Sequence, residues 1–541
     1  MSERLKRSLV LQGSVLAIAG LISKAIGFIY RIPMANIMGN EGNGLYSVAF
    51  GIYNIALTLS SYSMPLAVSK LMSSRLSEGR NKDAHRIFSI SFIFALIMGS
   101  LAWAGLLFGA NFFAELYQKP GLQYPLFILA PTTFIVALLG TCRGYFQGHR
   151  NMVPTAVSQV LEQIVNAIVS VLAASLFVKM AEDTTRDFDV SRGAAGAAGG
   201  TMGTLAGATV ALFMFILLIV VNLRKIRAER NSGEASNEDT AVLWKALFLT
   251  VFPVIMSQTV YQLGYTIDDL IFGNIMVRVR GISERETTIL QGIFNTQYNQ
   301  MINLPAAIAV AFSSAVLPSI VGAYTKGEIA EVRKKMDTVF RFNLLIAFPS
   351  ALGLSILAHP IMDVLFPALG EYHGTAVILL FTGSSAVIFY TLSTLSASML
   401  QGMDHMWAPV KHSAISLVVH VLILTLLLLF TPLKSGALVI GNVTFPMLTS
   451  ILNIRSLKKL ADYRLDVKGM LIKPLLAALV MEAVCFIVYF ATDRLGGSSL
   501  LQLILPLIAG MATYIPLMFK MVPAEDLARM PIIKKFVKKH K

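Results

Sequence analysis

The sequence predicts an all-α polytopic membrane protein of about fourteen transmembrane helices. Three observations predict it. Only 14% of the 541 residues are charged, 55% are hydrophobic and the mean hydropathy is +0.68, whereas about a quarter of a soluble domain is charged. Apolar runs of about twenty residues or more, the length that crosses ~30 Å of hydrocarbon, recur along the chain. Finally, most of the 45 Lys and Arg residues sit in short connectors between those runs. That pattern fixes orientation in a bilayer, and it argues against the nucleic-acid partner that a net charge of +15 would suggest.

The expected spans are 9–38, 44–72, 86–110, 122–146, 154–178, 194–222, 242–277, 288–321, 337–366, 375–400, 409–430, 435–455, 470–491 and 498–520. The first follows Arg4, Lys6 and Arg7 as a signal peptide would, yet it is too long for one and is expected to be retained. Pro33, Pro65, Pro131, Pro253, Pro305 and Pro446 mark expected kinks, since each removes a backbone donor. With the N-terminus inside, 33 of the Lys and Arg residues fall in cytoplasmic segments or at the span ends adjoining them, and nine in outer loops. Both termini are therefore expected to be cytoplasmic. Arg278, Arg280 and Arg285, after the seventh span, oppose the rule. The tail from Pro523, with Ile532, Ile533, Phe536 and Val537 among its lysines, reads as a helix on anionic lipid or as a solvated basic tail. Cys142 and Cys485 lie in apolar stretches and read as small core residues.

The polar stretch Arg224–Thr240 reads as a cytoplasmic linker between similar halves. Ala67–Arg86 after span two resembles Ala315–Lys334 after span eight. Gln147-Gly148 with Pro154 is echoed by Gln401-Gly402 with Pro409. Six crossings leave both halves the same way up, so the repeat is parallel, with a substrate site expected between the halves near mid-membrane. The expected divisions are an N-lobe at 1–225, the linker at 226–240, a C-lobe at 241–460, and two last helices with the basic tail at 461–541.

Charges inside spans are the candidate functional residues. Lys24 lies half-way along span one, and Arg31 follows seven residues later on the same helical face. A cation at the bilayer centre costs ~2.5–3.5 kcal/mol on insertion scales, so each is expected to face a water-filled cavity or an anionic partner. Arg31 snorkelling to the outer surface is the plainer alternative, and it is the better reading for Lys70. Gly13, Gly20 and Gly27 form a small-residue stripe on a neighbouring face, allowing close helix approach or bending. Glu162 on span five and the pair Asp268–Asp269 on span seven are candidates for pairing with those cations, for a gate, or for carrying a coupling ion. Asp268 and Asp269 point about 100° apart on a helix and cannot both face one site. Asn295, Gln297, Asn299, Gln300 and Asn303 make the start of span eight polar enough for a cavity wall. His412, His420 and Asn442 are candidates for an ion site or for interhelical hydrogen bonds.

No nucleotide-binding loop, zinc spacing or nucleophile elbow is present. No catalytic residue, metal or cofactor is expected, and the protein reads as a transporter, not an enzyme. An ion gradient (H+ or Na+) or the membrane potential would drive it.

The runs Ile22–Gly39 (ISKAIGFIYRIPMANIMG), Pro65–Lys70 (PLAVSK) and Arg143–Gln163 (RGYFQGHRNMVPTAVSQVLEQ) resemble the polysaccharide-export branch of the multidrug/oligosaccharidyl-lipid/polysaccharide flippase superfamily. Within it they are most similar to the MurJ-type lipid II flippases and the stage V sporulation protein B group. The resemblance implies two pseudo-symmetric six-helix lobes around a central cavity, alternating access, and a lipid-linked peptidoglycan precursor as cargo. It puts Lys24, in the S-K-x-x-G-F run, at the position of a cavity cation that engages the diphosphate, with Arg31 one residue beyond a second. The last two helices would form a groove for the polyprenyl tail. Where Gram-negative members carry an arginine pair this chain has Leu57-Thr58, and span eight has no arginine.

Three functions follow as alternatives: a flippase for lipid II or another undecaprenyl-diphosphate-linked sugar (teichoic or capsular), a drug/cation antiporter, and a scaffold for cell-wall synthesis. An antiporter needs cavity carboxylates, and span one has no Asp or Glu. The flippase reading carries with it a place in the bacterial cell membrane, a monomer among membrane lipids, and association with cell-wall synthesis machinery.

Overall fold

The computed structural model describes residues 3–183, 190–232 and 238–521; the basic tail beyond 521 lies outside them. Every element among the described residues is helical. The chain forms two compact units, Met1–Ile293 and Phe294–Lys541.

The first unit holds α1 (Glu3–Ser60), α2 (Met64–Ser77), α3 (Asn81–Leu116), α4 (Gln123–Gly148), α5 (Val153–Glu182), α6 (Arg192–Val221), α7 (Leu223–Asn231), α8 (Thr240–Asn274) and α9 (Glu284–Gly292). As one straight rod α1 would be about 87 Å long, nearly three times the hydrocarbon thickness. Instead it breaks at Gly39, whose φ of 69° needs a residue without Cβ. Beyond the break Tyr46 returns to the charge field of Tyr30 and Arg31; a straight helix would hold Tyr30 and Tyr46 about 24 Å apart. Buried Asn43 closes the turn by donating to the Ala35 carbonyl at 2.9 Å. Pro33 does not interrupt the helix, whereas Pro65 sits just inside the start of α2, where its missing N–H costs nothing.

Tyr30, Met34, Leu45, Ala49, Leu126 and Ala197 build one core of this unit. Close approach comes from α6 rather than from the stripe at Gly20 and Gly27. A Cβ at Gly20 would touch nothing within 4 Å, and at Gly27 only Gln163 Oε1 at 3.8 Å. At Gly199, Gly203 and Gly207, spaced by four, it would land on the carbonyl oxygens of Ala173, Asn166 and Glu162, so these glycines let α6 lie on the backbone of α5. Gly44 likewise faces the Thr288 carbonyl of α9.

The linker is fastened to α2 and α3. Glu238 takes Arg75 at 3.2 Å and also Arg80, while Arg86 donates to the Glu238 carbonyl and to Thr240 Oγ1, each at 2.8 Å. Asp83, buried, balances Arg80 and Arg86.

The second unit contains α10 (Asn299–Thr325), α11 (Ile329–Ile356), α12 (Ala358–Leu365), α13 (His373–Gly383), α14 (Ala386–Gly402), α15 (Trp407–Phe430), α16 (Ser435–Ala461), α17 (Lys473–Arg494) and α18 (Ser499–Met521). Phe340, Leu344, Leu395, Met399, Tyr463 and Met481 form its core, and the Tyr514 hydroxyl donates to the Leu345 carbonyl at 2.8 Å, docking α18 on α11. The expected span 337–366 ends early: α11 stops at Ile356 and α12 is separate. The span expected at 375–400 is bent by 47° between α13 and α14. A π-turn, Ile275–Val279, sits at the span end expected at 277, and another, Ile293–Tyr298, lies near the start of the span expected at 288–321; such turns often mark functional positions.

Among the described residues ten helices are long and apolar enough to cross a membrane, or eleven with the bent pair counted as one span. The chain is a multi-pass, all-helical membrane protein.

Candidate functional site

Helix α1 exposes two faces of opposite chemistry. Ile18, Ile22 and Ile29 lie within about 40° of one another, with Leu21 flanking them, and all four are exposed. Lys24 and Arg31 are also exposed, but they lie about 150° round the helix from the isoleucines. Between the two faces run buried Ala19, Tyr30 and Met34. The apolar face suits acyl chains and costs nothing there, whereas a cation would. The cationic face is therefore turned away from the one built for lipid. Arg31 interacts with Tyr30 and Tyr46; Tyr46 packs on Phe50 with ring centroids 4.5 Å apart, and Phe50 meets Tyr53 edge-on at 5.6 Å.

Two of the candidate carboxylates take partners other than Lys24 and Arg31. Glu162 takes Arg143 of α4 as its ion-pair partner, Oε2 to Nη2 at 2.7 Å, and Arg143 Nε also donates to Ser158 at 3.2 Å. Tyr53 lies within the charge field of Glu162, and Asn166, one turn on, donates to the Tyr30 hydroxyl at 3.2 Å. Adjacent Asp268 and Asp269 differ as their 100° separation requires: Asp269 is buried and Asp268 half-buried. Gln291 of α9 donates to Asp269. Lys119, fully buried in the loop between α3 and α4, lies in the charge field of Asp269 and donates to Thr288 Oγ1 at 3.3 Å. Burial pushes the Lys119 ammonium down to about 8, against the opposing pull of Asp269.

In the second unit, Asn295, Gln297 and Asn299 occupy the π-turn and the start of α10. Asn299 Nδ2 donates to Asn295 Oδ1 at 3.4 Å, and Asn442 Nδ2 to Asn299 Oδ1 and the Tyr390 hydroxyl, each at 3.2 Å. Tyr298 donates to the Gly383 carbonyl at 3.1 Å. Gln297 is buried and Asn303 is exposed. Thus two of the five expected cavity polars, Asn295 and Asn299, are joined in an interhelical network with Asn442. His412 bonds Asn453 at 2.7 Å and His420 bonds the Gly441 carbonyl at 3.1 Å, both acting as interhelical hydrogen-bonding groups.

Residues 9–323 match the family described as polysaccharide biosynthesis protein, more than half of the chain. The chain belongs to that family. It is 26% identical to lipid II flippase MurJ of Bacillus subtilis (strain 168) over 77% of the chain and 76% of the relative. It is 24% identical to stage V sporulation protein B of the same organism over 97% of the chain and 98% of the relative. Among solved structures it resembles lipid II flippase MurJ in an inward closed conformation, with TM-score 0.67 at 15% identity over 93% of this chain and 97% of that one. It also resembles an inward-facing MATE transporter of the MOP superfamily, with TM-score 0.64 at 15% identity over 81% and 94%. These likenesses establish the fold, that of MOP-superfamily transporters.

Sequence reasoning missed Arg143, Lys119, Gln291 and Glu482. Arg143 and Lys119 lie near span ends, where a cation reads as a topology signal. Glu482, half-buried on α17, is a lone acid in an apolar run and could have been found by the test that found Glu162.

Proposed function

We propose that this protein flips an undecaprenyl-diphosphate-linked cell-wall precursor, lipid II foremost, from the cytoplasmic to the outer leaflet of the bacterial cell membrane. In this reading fourteen crossings leave both termini cytoplasmic. The halves 1–225 and 241–460 alternate access, the linker 226–240 joins them, and 461–541 serves the polyprenyl tail. The observation that carries it is the two-faced α1, on which Lys24 and Arg31 are exposed but turned away from the isoleucine face.

The cations suit the cargo. Seven residues of helix rise about 10 Å, so the two heads can reach a diphosphate and the sugar phosphate edge beside it. Arg31 offers a planar fork for bidentate phosphate contact, and Lys24 a mobile point charge. Away from bulk water such contacts are several-fold stronger than at a surface. The names of the relatives, a lipid II flippase and a sporulation protein, support this cargo class.

The coupling ion, H+ or Na+, would engage a carboxylate. Glu162, Asp268 and Asp269 are proposed for that role, Glu162 and Asp269 by exchanging the partners described above. Asn295, Gln297, Asn299 and Asn303 are proposed to line the sugar path.

The MATE likeness keeps a cation/drug antiporter as a second reading; exposed cations on α1 would repel such cargo. Vesicles containing only this protein decide between them. With fluorescent lipid II, the expected result is transfer between leaflets that depends on an ion gradient or potential. Absence of transfer for lipid II and for teichoic and capsular carriers under every gradient contradicts the proposal, and robust efflux of cationic dyes installs the antiporter.

A further inference from the structure

At the end of the first unit where α3 begins and α4 ends, three side chains with metal-binding atoms converge. His85 of α3, His149 just past α4 and Glu229 of the linker helix α7 place one ligand atom each within 4.8 Å of the others. No sequence spacing announced them, because 80 residues separate His149 from Glu229.

A neutral His149 leaves two acceptors facing each other. His149 Nδ1 lies 2.9 Å from the Tyr145 carbonyl, an acceptor, so Nδ1 carries the proton. In the neutral ring Nε2 is then a lone pair, and it points at Glu229 Oε1, another acceptor, 3.2 Å away. His85 adds an independent observation: it is 7% exposed, and its Nε2 is buried without a hydrogen-bond partner. A buried, unpaired imidazole nitrogen calls for an explanation, and an ion is one.

We propose that His85, His149 and Glu229 form a divalent-metal site of the Zn2+ class that fastens linker helix α7 to the ends of α3 and α4. Two imidazoles and a carboxylate suit Zn2+, with water in the fourth position. Donors about 2.0–2.1 Å from zinc sit about 3.3 Å apart in a tetrahedron. The His149–Glu229 pair, 3.2 Å apart, already has that spacing, and His85 offers a ligand atom within 4.8 Å of both. The Tyr145 carbonyl fixes the His149 tautomer as outer partners of zinc ligands do. Glu229 brings the negative charge the ion needs, and nearby Arg230 opposes it.

The other His/carboxylate cluster, His359, Asp363 and His373, lies nearer solvent, with His359 exposed, although His373 Nε2 also lacks a hydrogen bond. There Asp363 already sets one oxygen 3.1 Å from His359 Nδ1 and the other 2.8 Å from His373 Nε2. It serves as the control. The metal-site inference does not rest on the flippase reading.

The test is Co2+ binding to the purified full-length protein in detergent at neutral pH. The expected result is one Co2+ per chain with the strong visible absorption of a four-coordinate site, discharged by Zn2+. His85→Ala and Glu229→Gln should each remove the absorption and weaken Zn2+ binding by at least about a hundredfold, the upper range for losing even an outer partner. His149→Cys should keep the metal and add thiolate-to-cobalt absorption, a gain that a misfolded variant cannot show. His359→Ala should change nothing. Absence of four-coordinate cobalt in the native protein, an unchanged spectrum in His149→Cys, or loss of binding with His359→Ala overturns the proposal; the first of these leaves a protonated His149 as the bridge to Glu229.

Discussion

Arg31→Ala and Lys24→Ala are each expected to abolish rescue of a flippase-depleted strain while leaving the protein at native levels in the membrane. Both side chains are exposed on α1, so shortening them opens no packed core, although Arg31→Ala also removes a partner of buried Tyr30 and Tyr46. What is lost is a charge-assisted contact to the diphosphate. Truncating one member of such a pair away from bulk water costs about 2–5 kcal/mol, a drop of at least about thirtyfold in cargo affinity. Conservative replacements separate the two roles. Lys24→Arg should retain transport, because a point charge is replaced by a charge. Arg31→Lys should fall between native and Arg31→Ala, because the bidentate fork is lost. Ile22→Ala, on the opposite exposed face, should transport normally. Full rescue by both alanine variants would remove these cations from the mechanism.

The largest expected effect on stability belongs to Asp269→Ala. Lys119 is fully buried and its compensating charge is Asp269, so the variant strands an ammonium inside protein. Breaking a buried pair from one side costs about 3–5 kcal/mol, whereas replacing both members with apolar groups is often neutral. Asp269→Ala should therefore melt far below the native protein in detergent, and Lys119→Met added to it should recover most of the loss. The pH dependence has a definite sign. Lys119 is held down to about 8, while an unfolded lysine titrates near 10.4. Across that window the unfolded chain binds more protons, so stability rises with pH there and falls as pH drops from about 10.4 to about 8. Lys119→Met should flatten that segment of the curve. Equal melting of Asp269→Ala and the native protein would show that the two groups do not compensate each other.

These two cases also show what the sequence could and could not disclose. Long apolar helices are written in composition, and the break near Gly39 is visible as the gap between the first two expected spans. Lys24 and Arg31 could be singled out because a cation in mid-run is costly wherever the helix points. The partners of the acids were hidden, because Glu162 with Arg143 and Asp269 with Lys119 join separate helices or loops. A cation near a span end looks the same in sequence whether it faces water or closes a buried pair. The glycine stripe misled for a related reason: Gly20 and Gly27 repeat regularly yet meet almost nothing, while the α6 glycines, in a run that reads merely as apolar, seat against a carbonyl at each turn. Helical periodicity identifies a face, and only packing identifies its neighbour.

Thiol labelling in intact cells asks most directly whether α1 keeps one wet face and one lipid face. The two native cysteines, Cys142 and Cys485, are buried, so background reaction is low. Single cysteines at positions 24 and 31, and at 18, 22 and 29, are treated with a small, charged methanethiosulfonate. Reaction at 24 and 31 with protection at the three isoleucine positions is the predicted pattern. Protection at 24 and 31 equal to that at 18, 22 and 29 would place the two cations among acyl chains and contradict the account.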